Sequence, residues 1–164
     1  MLTVLKWIVY VVVGAAVALL LAGQFGLLRG TPPDDLGVRD GKLKRPSKTP
    51  NSVTSQADLW PDHPMQAYAR VAPLPLRGDG PATLARLAAL CKAMPGARIV
   101  TSRPDYLYVQ FETRLMKFVD DTEFWYDPVA GVVQVRSASR VGRKDFDVNR
   151  SRVEAIRSKL AAAS

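Results

Sequence analysis

Between Asp120 and Arg140 the chain sets Asp120, Asp121, Glu123, Arg136, Ser137, Ser139 and Arg140 on what reads as two paired strands. Two carboxylates in different environments can serve as general acid and general base, and arginines can steady negative charge that develops on a substrate. That combination defines a hydrolase or lyase reading, with Asp120, Asp121 or Glu123 as the base. The same arginines can also grip a planar anion through parallel N–H donors, with the two hydroxyls beside them. That is a binding reading, and it needs no reaction.

The rest of the catalytic repertoire is thin. His63 is the only histidine and falls in a proline-flanked loop, so a Ser-His-Asp triad would need a long-range coincidence. Asp120, Asp121 and Glu123 could offer oxygens to a hard cation, but adjacent strand residues point to opposite faces and the spacing matches no dedicated metal loop. No phosphate-binding glycine loop, C-x-x-C pair or dinucleotide fingerprint occurs, so no metal or cofactor is expected. The single cysteine, Cys91, excludes an intramolecular disulfide and suits a small core position.

The elements that must hold these residues can be read from the pattern. A four-residue connection pairs Asp127 with Val132, which puts Phe124 opposite Val135, Tyr126 opposite Val133 and Glu123 opposite Arg136. Phe124, Tyr126, Val133 and Val135 then face the core. Glu123 and Arg136, with Asp121, Trp125 and Arg140 nearby, face the other way, as a polar cleft or as a solvated ion-pair face worth about 1 kcal/mol or less per pair. Upstream, residues 65–73 read as a short edge strand and 81–94 as a helix buried through Leu84, Leu87, Cys91 and Met94. Strands follow at 97–102 and 106–113, the second with Leu107, Val109 and Phe111 on one side. A last helix over 149–162 buries Val153, Ile156 and Leu160, with Asp147 or Asn149 as its cap.

The expected fold class is therefore α+β: an N-terminal transmembrane helix, then a β-α-β-β-β-β-α domain with an antiparallel sheet and two helices on one face. Trp7 to Leu28 is free of charge and spans about 30 Å at roughly 1.5 Å per residue, which suits a bilayer anchor better than a cleaved signal peptide. The expected organisation is an anchor over 1–28, a proline-rich tether and lead-in loop over 29–64, and the α+β domain over 65–164. Within the tether, Asn51 to Gln56 reads as a loop whose small polar side chains satisfy backbone groups. A sharper reading has Asn51 and Ser55 folded back to line the site.

Charge separates the regions further. Residues 46–135 carry nine basic and nine acidic residues, whereas 136–164 carry eight basic and three acidic. Arg143, Lys144, Arg150, Arg152, Arg157 and Lys159 can meet anionic headgroups near the anchor. For Arg157 and Lys159 an ordinary solvated helix face is the simpler account. Nucleic acid is disfavoured as a partner, because exposed aromatics and a reading motif are lacking.

The motifs PNSVTSQ, FVDDTEFWYD, RSASRVGRKDF and VNRSRVEAIR resemble the family called domain of unknown function 1499, over about residues 46–160. The resemblance implies membrane-associated or exported proteins and transfers no agreed activity. Ser52 stands where the family commonly has cysteine, which argues against obligatory thiol chemistry. Asp147 stands where it commonly has glycine, which counts against a tight turn before the last helix.

The expectation is a single-pass protein of the inner cell membrane, attached through residues 7–28. Basic residues flanking the span favour a cytoplasmic domain, while the resemblance favours a periplasmic one, which is the side taken. The domain is expected to bind an anionic ligand, lipid surface or protein partner through Asn51, Ser55, Asp120, Asp121, Glu123, Arg136, Ser137, Ser139, Arg140, Asn149 and Arg150. The alternatives are the hydrolase or lyase, and a structural partner in an envelope complex.

Overall fold

Sixteen apolar and small residues without a charge, VYVVVGAAVALLLAGQ, close a helix in the computed structural model, which describes residues 2–162. This helix, α1 (Leu2–Gln24), includes a 22-residue stretch, Thr3–Gln24, of mean hydropathy 2.4 that the domain does not bury. It is long and apolar enough to cross a membrane, and a signal sequence would meet the same description.

After α1 the order is β1 (Ser52–Thr54), a 3₁₀ turn at Ala57–Leu59, α2 (Gln66–Ala69), β2 (Leu74–Pro75), α3 (Gly80–Lys92), β3 (Ala97–Ser102), β4 (Tyr106–Glu112), β5 (Val119–Asp127), β6 (Val132–Ser139) and α4 (Val148–Ala162). The sheet is antiparallel, ordered β1-β6-β5-β4-β3, with β2 on the far end of β6. Its central register is the one the hairpin spacing requires: Phe124 opposite Val135, Tyr126 opposite Val133 and Glu123 opposite Arg136. The α+β class is as expected.

α3 and α4 cover one face. Leu84, Leu87 and Cys91 from α3 meet Val153, Ile156 and Leu160 from α4 over Leu107, Val109, Phe124, Val133 and Val135 of the sheet. α3 starts because the Asp79 side chain accepts the Ala82 N–H at 2.7 Å and Pro81 occupies the first turn. Burial among these apolar side chains pushes the Cys91 thiol up to about 12, so it is a core residue without thiolate character.

Among the described residues no helix covers the opposite face. Residues 30–48 lie across it as an irregular strap, with Leu43 only 2% exposed. A tight turn at Asp40 and Gly41, both with positive φ, pairs Arg39 with Lys42. Gln56 holds the strap at both ends of that turn, accepting the Leu43 N–H at 2.8 Å and donating to the Gly41 carbonyl at 2.9 Å. Ser52 Oγ accepts the Ser47 N–H at 2.8 Å, so the hydroxyl at this position fastens the strap to the sheet.

Several local expectations are corrected. The expected edge strand at 65–73 is instead the single helical turn α2, closed by Ala69 N–H to the Met65 carbonyl at 2.8 Å, and extended pairing is confined to Leu74–Pro75. The alternation there was weak, and Gln66 and two alanines favour a helical turn. The expected loop at Asn51–Gln56 contains β1, whose three residues are all buried. A strand covered on both faces has no alternation to betray it. The helix cap is neither Asp147 nor Asn149: Asp145 accepts the Asn149 N–H at 3.1 Å and the Asp147 N–H at 3.2 Å. The tight turn before α4 is present, with φ of 52° at Phe146 and 61° at Asp147. Aspartate enters this left-handed region more readily than most residues, so it can serve where glycine is common.

Candidate functional site

Alternation along β4, β5 and β6 sorts the polar residues onto two faces. On the strap side, two rows of polar contacts run diagonally to the ladder: Tyr106 to Glu123 and its ladder partner Arg136, and Tyr108 to Asp121 and Arg140, just past the end of β6. In the first row, Glu123 Oε1 accepts the Tyr106 hydroxyl at 2.8 Å and the Gly37 N–H of the strap at 2.7 Å. Arg136 Nη1 stands 3.5 Å from Glu123 Oε2, an ion pair without a hydrogen bond, and both side chains are buried. Glu123 Oε2 and Arg136 Nε have no hydrogen-bond partner among the described residues. Burial pushes the Glu123 carboxyl above its ordinary range, against the pull of Arg136 and the two donors. Burial also lowers the Arg136 guanidinium, against the attraction of Glu123 and Asp121.

The second row is saturated. Arg140 grips Asp121 through Nε at 2.8 Å and Nη2 at 2.7 Å, and the Tyr108 hydroxyl donates to Asp121 Oδ1 at 2.5 Å. The hydrogen bonds to Asp121 hold the Arg140 guanidinium above its ordinary value. Of the two readings of this face, polar cleft or solvated ion-pair surface, the second does not hold: the strap covers the pairs and their side chains are buried.

Between strap and sheet a cleft of about 510 Å³ remains open, lined by Asp34, Asp35, Lys44, Arg45 and Lys48 of the strap and by Asp121, Arg136, Ser139 and Arg140 of the sheet. Lys44 is bound to Asp35 at 2.5 Å, which holds that carboxyl below its ordinary range. No ion pair occupies Arg45 or Lys48 among the described contacts. Five cations face three carboxylates in this lining, and two of those carboxylates are already claimed. The lining therefore carries a surplus of positive charge.

The helix-side face holds a different assembly. Arg152 Nη2 reaches Asp120 at 2.6 Å, with its guanidinium carbon 4.6 Å from the centre of the Phe111 ring. Asn149, fully buried at the start of α4, accepts from Ser137 Oγ at 2.5 Å and from Arg152 at 2.8 Å. Its amide donates to Asp145 at 2.8 Å and to Ser139 Oγ at 3.0 Å. Asn51 Nδ2 closes the group, donating to the Gly142 carbonyl at 2.8 Å. Thr122 shares a 2.7 Å hydrogen bond with Ser137. This largely buried network, centred on Asn149, fixes α4 and the start of β1 to the sheet.

The sequence-predicted site residues therefore fall into separate groups. Asp121, Arg136 and Arg140 meet at the cleft, which Ser139 borders while its hydroxyl serves the helix-side network; Glu123 lies beneath the strap and does not line the cleft. Asn51, Asp120, Ser137 and Asn149 belong to the network on the other face. Ser55 is pinned to the edge of β6, donating to Gln134 at 2.7 Å and accepting the Val135 N–H at 2.8 Å. Arg150, expected beside Arg136 and Arg140, instead donates to the carbonyls of Tyr68 and Arg70 and secures α2. Arg152 and Arg157 are likewise committed, the latter to the Ala72 and Pro73 carbonyls at 2.5 and 2.7 Å. The guanidinium groups of Arg150, Arg152 and Arg157 are thus engaged within the domain, and Arg157, read as part of a solvated helix face, is bonded to backbone instead.

Sequence reading missed Arg45, Lys48, Tyr106 and Tyr108. The first two sit in a run of five basic residues between Arg39 and Lys48, a density that membrane flanking alone does not require. The tyrosines alternate with Leu107, Val109 and Phe111, which places them on the polar face by period alone. A family model described as a protein of unknown function, DUF1499, matches residues 42–160, beginning inside the strap. No curated protein matches the chain, and no solved structure does.

Proposed function

Because the chain belongs to the DUF1499 family of proteins of unknown function, its own residues carry the argument, and we propose that it is a membrane-anchored module that binds a small anion in the cleft between strap and sheet. One observation carries this reading: the Arg136 side chain lines the cleft at 3% residue exposure with its Nε unpartnered. A guanidinium buried so deeply costs several kcal/mol of hydration that a distant carboxylate only partly offsets. A bound anion supplies the missing acceptor. Of the three carboxylates offered to a hydrolase or lyase, only Asp121 lines the cleft, and Arg140 and Tyr108 occupy both its oxygens. Binding is therefore the reading taken.

The test is calorimetric titration of inorganic phosphate and succinate into the detergent-solubilised chain at constant ionic strength. One of them is expected to bind above a chloride control. Replacing the exposed rim with Arg45→Gln and Lys48→Gln should weaken it roughly tenfold, about 1.4 kcal/mol, at unchanged melting temperature. Equal heats for phosphate, succinate and chloride would end the proposal.

We further place α1 in the inner membrane and the domain in the periplasm. Alkaline phosphatase fused after Ser164 is expected to be active; an inactive fusion beside an active cytoplasmic reporter reverses the side.

A further inference from the structure

α1 does not leave the domain as a free stalk. Gln24 Nε2 donates to the Leu115 carbonyl at 2.8 Å, and Arg29 reaches Glu112 at 2.9 Å. Gly23 lies so close to the 113–118 loop that a Cβ there would come within 2.8 Å of the Met116 carbonyl. A Cβ on Gly30 would come within 2.6 Å of Val141, which ties in the 140–147 loop as well. The 113–118 loop is thus held at the last turn of the apolar helix, and Phe146 of the 140–147 loop lies beside it, lining one cavity with Arg114 and Lys117.

The helix then acts as a ruler. From Trp7, suited to one interface, to Gln24 is about 26 Å at roughly 1.5 Å per residue, and the hydrocarbon core is about 30 Å thick. Gln24 therefore ends at the inner edge of the far headgroup layer, and a loop bonded to it shares that depth. The side chains at this level are unusual for a water-facing end: Leu115 is 63% exposed and Phe146 is 87% exposed. Phe25 and Leu27, 80% and 75% exposed, continue the apolar surface from the helix itself. Arg114, Arg143 and Lys144 surround it and are exposed. Apolar tips ringed by cations match the boundary between acyl chains and anionic headgroups.

We propose that the 113–118 and 140–147 loops dock into the headgroup layer of the bilayer that α1 crosses, inserting Leu115 and Phe146 and presenting Arg114, Arg143 and Lys144 to anionic lipid phosphates. The inference rests on the anchor half of the function proposed above, not on the anion cleft. The opposite end of the sheet supplies the reference: Val129, 98% exposed in the β5–β6 turn, is separated from the docking loops by nine-residue β5, about 30 Å of strand.

The experiment uses the full chain in vesicles of phosphatidylcholine and phosphatidylglycerol, with nitroxide labels on Leu115→Cys, Phe146→Cys, Val129→Cys and Val12→Cys in turn. Cys91 is fully buried and stays unlabelled. Oxygen and a nickel chelate report lipid and water exposure by spin-label relaxation. Labels at 115 and 146 should show severalfold less nickel access than 129, and adding salt or removing phosphatidylglycerol should narrow the gap. Nickel access at 115 and 146 equal to that at 129, with Val12 embedded, overturns docking and leaves the anchor standing. A water-exposed Val12 removes the anchor, and docking with it.

Discussion

Asn149 joins α4, β6 and the loop between them through one side chain. It accepts from Ser137 and Arg152, donates to Asp145 and Ser139, and has no exposed surface. Asn149→Ala would leave several buried groups without partners, each penalised by its lost hydration, and should destabilise the domain by about 3 kcal/mol. Urea denaturation should show the midpoint fall at unchanged slope. Asp145 adds a pH signature. Burial acts to raise its carboxyl, but hydrogen bonds from Asn149, Tyr68 and the backbone outweigh it and hold the group below its ordinary 3.8. A carboxyl depressed in the folded state contributes stability that is fully present above the unfolded value and is lost as pH falls through the folded one. Thermal melts from pH 5 downward should therefore show wild type losing stability below about 3.8, and Asp145→Asn, already weaker at pH 5, losing less.

Among the elements, the strap is the one whose character the sequence conceals. Its prolines and glycines read as a tether, yet it supplies Leu43 to the interior, the Gly37 N–H to Glu123 and one wall of the cleft. Leu43→Ala should cost about 3 kcal/mol, the penalty of a core position, whereas a tether would tolerate it. Chemical denaturation distinguishes the two. The β5–β6 hairpin was legible because a two-residue period and one short turn suffice to fix its register. What lies over it was not, because an irregular segment is held by isolated hydrogen bonds at sequence separations that no local pattern encodes. The same limit explains the mixed fate of the site residues. The period told which face each occupies, and so grouped Asp121 with Arg140. It could not tell that one face would be closed by residues 30–48 and the other by α4, nor that Arg150 would turn to α2.

At the scale of the molecule, the order of the chain and the order of the sheet run against each other. β1, near the anchor in sequence, takes its strand partner from the last strand, β6, so Ser52 meets Ala138 and Thr54 meets Arg136. The strap, still earlier, rests on Glu123 and Gln56. A chain held in the bilayer by its first residues would therefore keep its N-terminal segment unmatched until its last strand is available. Closing so large a loop costs entropy before any contact repays it, which slows folding relative to a domain of local contacts. The β3–β6 meander and α3 involve shorter loops and should form the folding nucleus, with the strap closing afterwards. In stopped-flow measurements Leu43→Ala should then leave the refolding rate nearly unchanged and accelerate unfolding, by roughly a hundredfold for a loss of about 3 kcal/mol. Equal effects on both limbs would place strap closure within the nucleus. Late closure also means that Glu123 and Arg136 meet in water and are enclosed together, so the buried pair forms before it is desolvated.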